Sequence, residues 1–97
     1  MKHTEIQLRS LNDFVYGLYT TNNTFGVYQK NTGVKLYDGN DGNIYLTYMH
    51  EFSGDMGKRI EPRYVSIDEF GEVKFLCETG NIDELRRFFD TLKRLEF

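Results

Sequence analysis

Apolar positions follow two rhythms along this chain. From Gly80 to Phe97, Ile82, Leu85, Phe88, Phe89, Leu92 and Leu95 recur at spacings of three and four, which predicts one amphipathic helix with a continuous apolar stripe. Asn81 is placed to cap its start, with Glu84 three residues on to complete a capping box. Asp83 and Glu84 then lie at the positive end of the helix dipole, and Lys93 and Arg94 at the negative end. Such a stripe needs a cover, and the rest of the chain must supply it.

Upstream, the rhythm is the alternation of strands. His3–Arg9 alternates weakly and predicts a first strand with Ile6 and Leu8 inward, followed by a turn at Ser10–Asp13 and a strand at Phe14–Tyr19. Asn22-Asn23 predicts a hairpin turn leading to a strand over Thr24–Gln29. Gly17 and Gly26 mark bulges, bends or close backbone approaches. Lys30–Gly33 predicts a further turn, and Val34–Tyr37 a short strand with Val34 and Leu36 inward. Asp38–Asn43 is six turn formers in succession, the strongest hairpin signal in the chain. Ile44–Phe52 is the longest strand, with Ile44, Leu46, Tyr48, His50 and Phe52 on one face and Tyr45, Thr47, Met49 and Glu51 on the other. Ser53–Pro62 predicts a long, mobile loop. Arg63–Asp68 and Glu72–Cys77 then form a hairpin around Glu69-Phe70-Gly71.

These elements add up to an α+β fold, an antiparallel sheet of about six short strands in hairpin order packed against one C-terminal helix. The pattern leaves open whether the sheet is flat or curled toward a half-barrel. The 97 residues set the scale of a single domain with one core.

Composition changes this picture in three respects. Aromatic residues make up 15 % of the chain without a tryptophan, so tyrosine and phenylalanine supply much of the core volume. The lone cysteine, Cys77, has no partner for an internal disulfide and reads as a buried thiol in a reducing compartment. The polar N-terminus lacks a signal-peptide apolar region, and no apolar run approaches the roughly 18–20 residues needed to span a bilayer. The expectation is a cytoplasmic protein, in which the Asn22-Asn23-Thr24 sequon serves as turn chemistry.

Charge is unevenly spread. Residues 1–37 carry +2, residues 38–84 carry −7 and residues 85–97 carry +2, within a net charge of −3. The acidic middle repels phosphate backbones and attracts basic partners.

Catalytic and ligand-binding motifs fail on inspection. Asp38–Asn43 offers side-chain oxygens, but Gly42 stands where an EF-hand places its third ligand. Gly54–Arg59 resembles the end of a phosphate-binding loop, but Phe52 occupies the first glycine position and Arg59 the magnesium-binding hydroxyl position. His50 and Glu51 are strand neighbours on opposite faces, and nothing places His50 beside Cys77. The chain is therefore expected to be no enzyme, with no cofactor and no metal.

The remaining expectation is a non-enzymatic protein-binding module with an acidic surface. Its contact residues would be Asp38, Asp41, Asp68, Glu69 and Glu72 at the turns, with Asp55 and Met56 in the Ser53–Pro62 loop, acting on a basic partner. The alternative is a binder of single-stranded nucleic acid that stacks bases on sheet tyrosines and uses Arg86, Arg87, Lys93 and Arg94 on the helix. Either a monomer or a homodimer is compatible with an open sheet. In size and style the chain is similar to small phage-encoded inhibitors of bacterial defence nucleases, anti-CRISPR proteins among them. The likeness is one of character and carries over no residue.

Overall fold

The computed structural model describes residues 3–20, 22–24, 27–76 and 82–96, with backbone alone for 22–24 and 27. It begins with a helix. Thr4 caps α1 (Glu5–Leu18) through a full capping box, its hydroxyl accepting from the Gln7 backbone and the Gln7 side chain accepting from the Thr4 backbone. The two strands and the turn expected between His3 and Tyr19 are replaced by this one element. Gln7, Leu11 and Leu18 form its buried stripe, with Phe14 packed alongside.

Six strands follow, β1 (Asn22–Thr24), β2 (Val27–Asp38), β3 (Ile44–Gly54), β4 (Gly57–Ile67), β5 (Val73–Phe75) and β6 (Lys93–Leu95), with α2 (Ile82–Asp90) before the last. All pairings are antiparallel, in the order β1-β2-β3-β4-β5, and β6 joins β2 on the same side as β1. The fold is α+β, as the sequence predicts, and the sheet is open rather than closed into a barrel. Neither helix is long and apolar enough to cross a membrane.

Several boundaries differ from expectation. Asn22-Asn23 is not a turn but part of β1. Lys30–Gly33 lies inside β2, where Gly33 takes φ +68° and the register against β3 slips between Thr32 and Lys35. The Ser53–Pro62 loop is absent: Gly54 pairs with Gly57 around a two-residue turn, and Lys58–Pro62 continues β4. The C-terminal helix stops at Asp90, because Thr91 turns its hydroxyl onto the Phe88 carbonyl and Lys93–Leu95 pairs with β2 instead. The predicted Asn81 cap, the Cys77 thiol and the Phe25–Gly26 positions lie outside the described residues.

The alternation along β3 sorts the core into two layers. Ile44, Leu46 and Tyr48 join Val65 and Ile67 of β4 and Leu36 of β2 beneath Leu11 and Leu18 of α1. Tyr45 and Tyr64 turn the other way and enclose Phe89 of α2, with Tyr37, Ile82, Leu85 and Leu92 around them. The sheet is thus sandwiched between two helices over its proximal half.

The distal halves of β2, β3 and β4 extend beyond both helices as a wing, leaving Met49, Ile60 and Met56 exposed. Charged residues on this wing pair locally, Lys58 with Glu51 at 2.7 Å and Arg63 with Glu61 at 3.0 Å. On the same face as the Arg63–Glu61 pair, His50 Nδ1 lies 2.8 Å from Asn31 Oδ1, and burial together with the Arg63 charge holds the imidazole pKa below its ordinary value. The outer edge of β4 from Gly57 to Arg63 has no partner strand among the described residues. Pro62, without an N–H, and the charges of Lys58 and Arg59 make that edge a poor template for another strand.

Candidate protein-binding site

Two turns and the start of α1 meet at one end of the sheet. The turn over residues 38–43 closes with Gly39 N–H donating to the Asn43 carbonyl at 3.1 Å, and the turn over residues 68–72 with Asp68 N–H donating to the Glu72 carbonyl at 3.1 Å. Neither turn contains a basic residue. Aspartates build both, since a short carboxylate can accept from the backbone two residues on. Asp68 Oδ1 accepts from the N–H groups of Phe70 and Glu72, each at 2.9 Å. Asp41 accepts from Asn43 N–H at 3.0 Å and from the Tyr45 hydroxyl at 2.6 Å. Burial, and then that bond to Asp41, push the Tyr45 hydroxyl above the usual tyrosine range.

Helix α1 fastens both turns. The Thr4 hydroxyl donates to the Glu69 carbonyl at 2.6 Å, and the Ser10 hydroxyl to the Gly71 carbonyl at 2.6 Å. Gln7 Nε2 donates to the carbonyls of Gly42 and Ile67 at 2.8 and 2.9 Å. Gly71 is packed directly against α1: it sits at φ +85°, and a Cβ there would lie 2.8 Å from Ile6 Cγ2 and 3.2 Å from the Ile6 carbonyl oxygen. Gly71→Ala should therefore lower stability by about 1–3 kcal/mol through left-handed strain and the clash with α1. Thermal unfolding reads this, and an unchanged midpoint would show that the turn is free to shift.

What the locked turn presents is apolar. Phe70 is 79 % exposed and Ile6 59 % exposed, on either side of an open depression lined also by Thr4, Glu5 and Glu69. Exposed carboxylates of Glu5 and Glu69 line the depression, those of Glu72 and Asp41 stand exposed on the same two turns, and Arg9 lies 3.7 Å from Glu5. An exposed aromatic on a hydrogen-bonded turn with carboxylates beside it can serve as an interface anchor with a polar rim.

The structure divides the residues expected at the contact. Asp41, Asp68, Glu69 and Glu72 come together at this end, with Asp68 committed to the turn backbone. Asp38 is also here but buried, accepting from Asn40 N–H at 3.2 Å and lying 3.7 Å from His3 Nε2. Asp55 and Met56 stand at the opposite tip of the β3–β4 hairpin, about ten residues or roughly 33 Å away at strand rise. The basic set divides as well. Arg86 and Arg87 are on α2, whereas Lys93 and Arg94 are on β6, with the Arg94 guanidinium 5.9 Å from the centroid of the Tyr37 ring. Sequence reasoning missed Ile6, Glu5 and Phe70. The signal for Phe70 was present, a large apolar residue inside a turn of Glu69 and Gly71, where no core position is available.

No protein-family model, curated protein or solved structure matches this chain.

Proposed function

We propose that the protein is a non-enzymatic protein-binding module that docks its Phe70–Ile6 patch into an apolar recess on a basic surface of its partner. The observation that carries this reading is the exposed Phe70 on a turn held by hydrogen bonds from the Thr4 and Ser10 hydroxyls and by its own N–H donating to Asp68. Pre-organisation of this kind lowers the entropy lost on docking. The carboxylates of Glu5, Glu69, Glu72 and Asp41 steer encounter with a basic partner and set its orientation. In this reading the chain acts as a small cytoplasmic inhibitor that covers a surface its target uses for nucleic acid.

Phe70→Ser and the paired Glu69→Lys, Glu72→Lys replacement test it. Each should leave the circular dichroism spectrum unchanged, because these side chains project from the fold. The partner captured from host extract by the natural chain should be lost by the charge-reversed variant and bound at least about tenfold more weakly by Phe70→Ser. Equal capture by all three chains would overturn the proposal.

A further inference from the structure

A cleft of about 330 Å³ opens on the α2 side of the sheet, a size at the lower end of small-molecule sites. The bulge in β2 shapes it. One extra residue between Thr32 and Lys35 reverses the alternation, so that Val34 joins the core under α1 while Lys35 turns to the α2 side with Tyr37. Tyr64 of β4 and Phe89 of α2 form apolar walls, and Arg86 and Asp90 line the cleft from one turn of α2.

Thr47 donates its hydroxyl to the Arg63 carbonyl at 2.8 Å, but four other polar groups of the cleft are uncommitted. Neither Lys35 nor Arg86 forms an ion pair with another described residue, and the hydroxyls of Tyr37 and Tyr64 have no hydrogen-bond partner among the described residues, in contrast to the Tyr45 hydroxyl held by Asp41. Two cations in one cleft, Lys35 from β2 and Arg86 from α2, favour an anion, Lys35 as a point charge and Arg86 as a planar fork suited to phosphate oxygens. Aromatic walls favour a planar ring. Asp90 supplies an acceptor for a hydroxyl or amino group and limits the excess charge of the wall to +1, which suits one phosphate better than several.

We propose that this cleft binds a nucleoside monophosphate unit, with the phosphate on Lys35 and Arg86, the base against the half-buried Tyr37, and a ribose hydroxyl or exocyclic amine donating to Asp90. The site shares no residue with the Phe70 patch, so either assignment stands or falls without the other. Titration of the full chain with AMP, followed by amide chemical shifts, is the test. Saturable shifts are expected at residues 33–37, 63–64 and 86–90, with adenosine and inorganic phosphate each binding at least about tenfold more weakly than AMP. Lys35→Ala and Arg86→Ala should each weaken AMP about tenfold or more, while Arg87→Ala and Phe70→Ser bind as the natural chain does. A strand of about ten nucleotides distinguishes the source: tighter binding at the same residues assigns the unit to nucleic acid, and weaker binding to the free nucleotide. Absence of saturation at millimolar AMP, shifts centred elsewhere, or full affinity in the Lys35→Ala, Arg86→Ala double variant would overturn the proposal.

Discussion

Phe89→Ala should remove about 3–5 kcal/mol of stability, the largest loss expected from any single truncation on the α2 face. The ring is 3 % exposed and meets three tyrosines edge to face, with centroids 4.9 Å from Tyr64, 5.5 Å from Tyr37 and 5.7 Å from Tyr45. Nothing else on α2 is fully buried. A helix of nine residues is too short to persist alone in water, so the damage should extend beyond a cavity. Urea unfolding should show the lost stability, and the far-ultraviolet helical signal should fall with it. A loss below about 1 kcal/mol would mean that α2 is not anchored by this ring.

Gln7→Leu should be nearly as harmful although it places an apolar residue in an apolar layer. Gln7 is 0 % exposed, and its amide nitrogen is the donor for two carbonyls, Gly42 in the turn over residues 38–43 and Ile67 in β4. Leucine fills the space and leaves both acceptors unmatched, at an expected loss of about 2–4 kcal/mol. Gln7→Glu separates hydrogen bonding from volume. A carboxylate facing two carbonyl oxygens should have its pKa raised above the unfolded value near 4.3. Its stability should then be highest at acid pH and fall as pH rises through the raised value, the reverse of an ordinary acidic residue. A Gln7→Glu protein whose stability is flat with pH would show that the side chain has left its site.

The same glutamine explains why α1 escaped a reading based on apolar spacing. Positions 7, 11, 14 and 18 have helical periodicity, but the first is polar, and Ile6 and Leu8 on either side of it imitate a strand. The run Phe14–Tyr19 is β-rich yet helical, since propensity yields to packing once an apolar stripe is covered. A signal was available in Thr4-Glu5-Ile6-Gln7, which has the spacing of a capping box. The turns at Asp38–Asn43 and Glu69–Gly71 were legible because aspartate, asparagine and glycine build them locally. The end of α2 was not, because β6 is stabilised by β2 far away in the chain. Nor was the continuation of β4 through Lys58–Pro62, whose charges lack alternation and whose pairing rests on β3. At the candidate site the acidic residues are legible and the apolar ones are not: the alternation around Ile6 imitates a strand and assigns its side chain to the interior.

Strands β1 to β5 are neighbours both in the chain and in the sheet, so each of their pairings closes only a short loop. Two contacts reach much further. Gln7 bonds to Ile67, and Leu95 of β6 pairs with Leu36 of β2, both across roughly sixty residues and both entropically slower to close. The meander of hairpins should therefore form first, and the two long-range contacts act as clasps that shut afterwards, one through α1 over a face of the sheet and one through β6 along the edge of β2. Weakening either clasp leaves the first steps of assembly untouched and falls on the rate at which the finished protein comes apart.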